Sequence, residues 1–348
     1  MIWSRIGCRT LISCLALAVA VIARANQAVT LPLYLHDAIA TDSAAAHAAK
    51  RWLTTIPSSL SFKIQTRSVS TGQTLPESGI VLAPLTWWRH RLPAFDVLRL
   101  PFFYADISAV HHALDGELGA SLAQHAQQAG WKLLAVWDAG MTDFSGNQDY
   151  SRLQNLSGMQ FALWEKDPVQ EIELRALDVW SQVIGQHGVE RMAQACLVNS
   201  RSTTATQMWR EHLQRVHLDL TLTRDRYAGY VLAIPMSLWK TFTPVQRDGL
   251  TKALQGVTDW ERAQAAQQQA RATAALHKAG MQVHPLNAEQ RRVFAKRMPP
   301  WQRFLDQLDA QTAKALIATA RRTAATTRLG STHEKALANP LPGTHAAE

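Results

Sequence analysis

Apolar and polar positions alternate from Val29 to Leu35, with the two-residue period of a half-buried strand that closes at His36 and Asp37. Asp42 or Ser43 can then cap an alanine-rich helix whose inward face carries Ala49, Trp52 and Leu53. Alternation resumes from Leu60 to Gln65, and Gly79 to Leu85 is a short apolar run of the kind buried on both faces of a sheet. Strand, helix and strand in this order predict an α/β fold, a parallel sheet with helices on both faces.

Farther along, Leu98, Leu100, Phe102 and Phe103 form an apolar run broken by Pro101, which cannot donate to a sheet ladder and marks a strand end or loop. Asp106 or Ser108 can cap a helix in which Val110, Leu114, Leu118 and Leu122 recur at helical spacing, and Gly130 stops it. Trp131 to Trp137 then reads as a strand buried on both faces. Ser, Asn, Asp and Gly gather between Gly140 and Gly158, which predicts a loop entering a second domain. Thr243, Pro244 and Gln246 combine a capping threonine, proline at the first helical position and glutamine at the third. The helix they start runs unbroken from about Val257 to Ala279 and stops at Gly280. Met281 to Val283 is a short strand, and Asn287 with Gln290 repeats the capping device. Pro299 and Pro300 punctuate that helix, and a last one covers roughly Trp301 to Thr323. From about Gly330 the chain is small and polar, which predicts a disordered tail, and there is no internal repeat.

The N-terminus changes the picture of where the chain works. Arg5 and Arg9, an apolar run from Leu11 to Ile22, and Ala23, Arg24, Ala25 make a secretory signal peptide with cleavage expected after Ala25. The run is short for a membrane span and has an arginine at its end. A lipid-anchored Cys14 fits less well, because that cysteine precedes the apolar core instead of following it. Cleavage leaves Cys196 as the one cysteine, so no internal disulfide can form. The formal charge of +9 falls to +6 once Arg5, Arg9 and Arg24 are removed. The remaining basic residues are interspersed with acids, which speaks against nucleic acid as a partner.

No G-x-S-x-G, H-E-x-x-H, G-x-x-x-x-G-K-[ST] or paired cysteines occur. His111 and His112 are adjacent on a predicted helix and point apart, and Cys196 has no patterned base beside it. The residues therefore point to no enzyme, no cofactor and no metal.

The stretch from Leu92 to Gly140, LPAFDVLRLPFFYADISAVHHALDGELGASLAQHAQQAGWKLLAVWDAG, resembles a segment of the DctP-like solute-binding proteins of tripartite ATP-independent periplasmic (TRAP) transporters. RYAGYVLAIPMSLWKTFTPVQRDGL, from Arg226 to Leu250, is similar to that family's return strand, buried tryptophan (here Trp239) and proline-started long helix. AALHKAGMQVHPLNAEQRRVFAK is similar to its helix, glycine stop, short strand and next helix. The shared order and spacing carry the resemblance over nearly all of the mature chain.

The resemblance implies a two-lobed periplasmic binding protein fold, each lobe a mostly parallel sheet flanked by helices, with a long connecting helix and a C-terminal helix. Lobe I would take residues 26–139 and about 228–266. Lobe II and the C-terminal helices would take 140–227 and about 267–329, before a tail at 330–348. Such a protein is a periplasmic monomer that closes over a small organic acid and delivers it to integral membrane permease subunits.

In the family an arginine closing a motif like L-K-G-L-K-I-R clamps the ligand carboxylate, a pairing suited to the planar guanidinium. The matching run here is Leu156 to Ala162, so Ala162 stands at the arginine position. A second family arginine matches Thr142, and the acids of a T-G-V-V-D-G-Q-E-N turn match Asn199 and Ser202. Two explanations stay open. The cation has moved to Arg201, Arg224 or Arg89; or the ligand lacks a carboxylate and is held by Trp87, Trp88, Trp137, Trp164 and a few polar groups. Arg201 is preferred because it sits in a turn the family uses to face ligand. For Arg89 and Arg224 an exposed ion pair is the simpler account, and for the tryptophans a core position is. Asn199 and Thr142 can bond a ligand or satisfy turn backbone, and His36 at the end of the first strand completes the candidates. Loss of both arginine positions also leaves open a receptor-derived sensor or interaction protein without a transport role.

Overall fold

The computed structural model describes residues 29–60, 62–70, 78–185 and 199–334. The expected signal peptide, all three cysteines, the segment just before Asn199 and the tail from residue 335 lie outside the described residues.

Ten strands form: β1 (Val29–His36), β2 (Phe62–Val69), β3 (Ile80–Pro84), β4 (Trp131–Gly146), β5 (Gln160–Leu163), β6 (Trp180–Val183), β7 (Ser200–Thr204), β8 (Asp219–Leu222), β9 (Tyr227–Pro235) and β10 (Gln282–Pro285). Their order is β2-β1-β3-β9-β4-β7-β5-β6, with β8 also on β4 and β10 on β8. The pairs β1–β2, β1–β3, β5–β6, β5–β7 and β8–β10 are parallel. Through the centre, β9 and β4 run antiparallel to each other and to their outer neighbours. The early strands thus pair as expected, and the antiparallel centre comes from β9, which returns from far downstream.

The loop expected from Gly140 to Gly158 is strand as far as Gly146 and turns beyond it. β4 continues to Gly146, pairing with β9 along its first part and with β7 and β8 along its last. Register shifts at Leu133/Ala135 and Asp138/Gly140 bend it between the two sheets, as bulges do. Its polar residues misled the pattern because they are buried with partners. Ser145 Oγ lies 2.9 Å from His217 Nδ1, and Asp143 Oδ1 accepts the Arg224 amide at 3.0 Å.

Local signals held well for helices. Ser43 caps α1 (Ala44–Thr55), in which Ala49 and Trp52 are buried and Leu53 half-buried. After the short α2 (Leu85–Trp88), Asp106 caps α3 (Ile107–Asp115), but the single helix expected there breaks at Gly116 before α4 (Glu117–Gln128). Then come α5 (Pro168–Ala176), α6 (Ala205–Arg210), α7 (Met236–Thr241), α8 (Pro244–Lys278), α9 (Ala288–Arg297) and α10 (Ala310–Glu334). Both predicted capping boxes, at Thr243 with Gln246 and at Asn287 with Gln290, form and start α8 and α9. The last helix starts later than expected. Trp301–Phe304 is a 3-10 turn, and Asp309 accepts the amides of Gln311 and Thr312 to open α10.

Each sheet is covered on both faces. On the first, α1 and the early part of α8 (Leu250, Leu254, Val257) pack with Leu33, Trp52, Ile80 and Trp137. Opposite them, α3, α4 and α10 pack through Val110, Leu118 and Leu316 on Val81, Phe95 and Val231. On the second sheet, Leu174 and Phe294 of α5 and α9 meet Phe144 and Phe161 on one face, and Met208, Ala272 and Leu276 meet Leu220 on the other. The 35-residue α8, about 50 Å long, therefore backs both sheets.

Candidate functional site

Ligands of α/β sheets bind beyond the carboxyl ends of parallel strands, where backbone and loop groups converge. Here those ends come from both sheets. Ala38 beyond β1, Pro84 to Thr86 at β3, Trp164, Glu165 and Asp167 after β5, and Arg201 to Thr204 with Gln207 at β7 surround a cavity of about 180 Å³. Its floor is the crossing of β4 and β9, with Ala139, Thr142 and Tyr227 to Tyr230. Arg99, ending the 3-10 turn Pro93–Arg99, and Arg226 also reach it.

Arg201 lies on β7 in parallel register with Ala162 of β5 and donates Nη1 to the Ala162 carbonyl at 3.2 Å. A guanidinium thus enters the cleft from the strand beside the one whose arginine position is alanine. Arg201 was expected in a turn; it is on a strand, because Ser200–Thr204 pairs with both β4 and β5. Its Nε lies 2.8 Å from Glu211 Oε2, Nη2 donates to Oε1 at 3.0 Å, and the group sits 5.4 Å from the Trp164 ring centroid. Burial lowers its pKa, opposed by Glu211.

Two further arginines face the cavity. Arg99 donates to Asp96 at 2.9 Å and to Asp167. Arg226 Nε lies 2.5 Å from Glu173 and 3.1 Å from Asp225, and Nη2 donates to Ser202 Oγ at 2.8 Å. Asp167 caps α5 by accepting the Val169 and Gln170 amides and lies between the two guanidiniums. Burial alone would raise its pKa, but Arg99 and Arg226 outweigh it and hold the carboxyl below its usual range. Glu173, fully enclosed, is pushed well up by burial, and Arg226 opposes that shift. Glu165, half-buried on the cavity wall, is also raised by burial and has no cation within 4.0 Å among the described residues.

The other expected residues scatter. Thr142 and Trp164 do line the cavity, although the Thr142 hydroxyl is spent on Asp225 at 2.8 Å. Asn199 accepts the Gln160 amide at 3.0 Å and so ties β7 to β5. Trp137 and Trp88 are core residues whose indole nitrogens donate to Thr258 and the Val231 carbonyl. Trp87 and His36 pack against each other at 5.3 Å, and His36 Nδ1 accepts the Ala38 amide. Arg89 is not exposed as expected. It is 5% accessible and bridges Asp96 at 2.9 Å to Asp306.

Arg224 belongs to a different cavity. Side chains alternate along a strand, so Thr142 faces the cleft while Met141 and Asp143 face a second space of about 730 Å³, bounded by Ala265, Gln269 and Thr273 of α8. Arg224 is exposed at that wall, in a left-handed conformation with φ 44°.

Arg99, Asp167 and Arg226 were missed by sequence reasoning. A signal existed: Arg99 interrupts the apolar run Val97 to Leu100, and a charge inside such a run requires a buried partner. Asp167 before Pro168 also has the form of a helix start.

Comparison with known proteins agrees with this geometry. Residues 72–307 match the model of the bacterial extracellular solute-binding proteins, family 7 (DctP). The C4-dicarboxylate-binding periplasmic protein DctP of Rhodobacter capsulatus is 26% identical over 224 residues, covering 64% of this chain and 67% of the relative. A TRAP periplasmic solute-binding protein from Ochrobactrum anthropi, with its C-terminus bound in the ligand-binding pocket, shares the fold at TM-score 0.78 and 17% identity. That match covers 86% of this chain and 97% of that one. A TRAP periplasmic solute-binding protein from a Sulfitobacter species, with bound β-D-galacturonate, follows at TM-score 0.72 and 16% identity, covering 84% and 100%. With a family match over more than half its length, on a two-lobed α/β fold with a polar cleft between the sheets, the chain belongs to the bacterial extracellular solute-binding proteins, family 7.

Proposed function

We propose that this receptor captures a small organic acid in the cleft beside Arg201 and delivers it to the integral membrane subunits of a TRAP-type permease. Its relatives are solute-binding proteins, and two of those named above are a C4-dicarboxylate-binding protein and a protein with bound galacturonate. The observation that carries the reading is the placement of Arg201 beside Ala162, facing the cavity. A guanidinium has five N–H donors. One from each terminal nitrogen is donated, to the Ala162 carbonyl and to Glu211 Oε1, while Nε lies 2.8 Å from Glu211 Oε2, which leaves one on each terminal nitrogen for a carboxylate. Thr142 and Trp164 complete the near wall. The lobes meet at β4 and β9, with 26–139 and about 228–266 on one side and 140–227 and about 267–329 on the other. Ligand contact with both lobes only when closed drives the hinge. Removal of residues 1–25 places the mature chain in the periplasm, where it acts as a monomer. Among the described residues no helix is long and apolar enough to cross a membrane. Neither the family nor the relatives named above point to a sensor without a transport role.

The test is native mass spectrometry of the mature protein as purified, followed by calorimetry with the solute found. An organic acid should be present, and Arg201→Met combined with Glu211→Gln should weaken it tenfold or more, about 1.4 kcal/mol. The double variant avoids stranding Glu211 as a buried unpaired charge. An acid bound equally well by that variant would remove Arg201 from the site, and a protein that binds no solute would overturn the reading.

A further inference from the structure

We infer that the solute is zwitterionic, carrying an ammonium group as well as a carboxylate, and that Glu165 is the residue that selects it. The inference rests on the site proposed above and narrows its ligand class. Every guanidinium facing the cavity is already matched by the protein's own carboxylates: Arg99 by Asp96 and Asp167, Arg201 by Glu211, and Arg226 by Asp225 and Glu173. Arg89 draws further on Asp96. No surplus of positive charge therefore awaits a doubly charged anion, and taking a second carboxylate out of water here would go uncompensated.

Glu165 is the exception on the same wall. It lines the cavity and is half-buried; Thr86 is its side-chain hydrogen-bond partner, Arg99 acts on it at longer range, and no Lys, Arg or His lies within 4.0 Å of it among the described residues. A carboxylate in that setting gains most from a ligand that brings its own cation or strong donor. The two ends of the ligand are also placed close together. Glu165 directly follows Trp164, whose ring lies 5.4 Å from the Arg201 guanidinium, and all three residues line the one cavity. A compact amino acid suits a cavity of about 180 Å³ that holds both groups, and a dicarboxylate sets its second charge against Glu165.

The test uses the mature protein with matched solutes: monocarboxylates, the corresponding dicarboxylates and sugar acids, and α-, β- and γ-amino acids. Thermal shift ranks them and calorimetry measures the best of each class. The tightest binder should be an amino acid. Glu165→Gln should weaken it tenfold or more while changing the monocarboxylate's affinity less than twofold, and Glu165→Asp should retain part of the preference. A dicarboxylate or sugar acid as the tightest binder, or an amino acid insensitive to Glu165→Gln, would overturn the inference and leave the acid-binding receptor intact. Binding in none of the classes would defeat both.

Discussion

Asp138 sits at the second register shift of β4, and its neighbours make it a sensitive point. Its amide donates to the Glu261 carboxylate at 3.1 Å, Tyr227 donates to its Oδ1 at 2.8 Å, and His111 Nε2 lies 2.7 Å from its Oδ2. Burial, with Asp138 beside it, pushes Glu261 up to about 9, and burial pushes Asp143 on the same strand up to about 7. Both acids keep their protons in the folded state at pH values where the unfolded chain has lost them. Stability therefore falls as pH rises, from about 4.5 to about 9 for Glu261 and from about 4 to about 7 for Asp143. Glu261→Gln keeps an acceptor for the Asp138 amide without the titration. Thermal unfolding at pH 6 and pH 9 should show the variant losing less than the parent, by roughly a few kcal/mol; equal losses would refute the assignment. His217, lowered to about 4 by burial and by Arg201, has the opposite sign, and its contribution is lost as pH falls from about 6.5 toward 4.

Among the elements, β4 connects sequence to function most directly. Gly140 lies at its second register shift with φ 122°, a conformation side chains rarely adopt, and a Cβ there would meet Gln269 Oε1 of α8 at 3.0 Å. Gly140→Ala should destabilise by about 1–3 kcal/mol, read as a lower unfolding midpoint in denaturant. An unchanged midpoint would mean that the bulge relaxes freely. Helix starts were legible because a cap depends on residues three positions apart, as at Ser43, Asp106, Thr243 and Asn287. The strand from Gly140 to Gly146 was not, because its polar side chains are satisfied by His217, the Arg224 amide and the Asp225 carboxylate, some seventy to eighty residues on.

For the whole molecule, the cleft draws on both sheets while β4, β9 and α8 join them, so solute binding should compact the protein. Small-angle scattering should show a smaller radius of gyration with saturating solute, and no change in the Arg201→Met/Glu211→Gln variant. Bound solute without compaction would rule out hinge closure. What the sequence by itself determined was the α/β class, most helix starts and, through ordered motifs, the family scaffold. These depend on short-range spacing and on apolar periodicity, which persist whatever the rest of the chain does. Only the tertiary structure decided that Arg201 stands beside Ala162, that Arg89 is buried between Asp96 and Asp306, and that Arg99, Arg226 and Asp167 share one cleft. Strand register and the pairing of buried charges are set by residues far apart in the chain, and no local pattern records which distant carboxylate a guanidinium will meet.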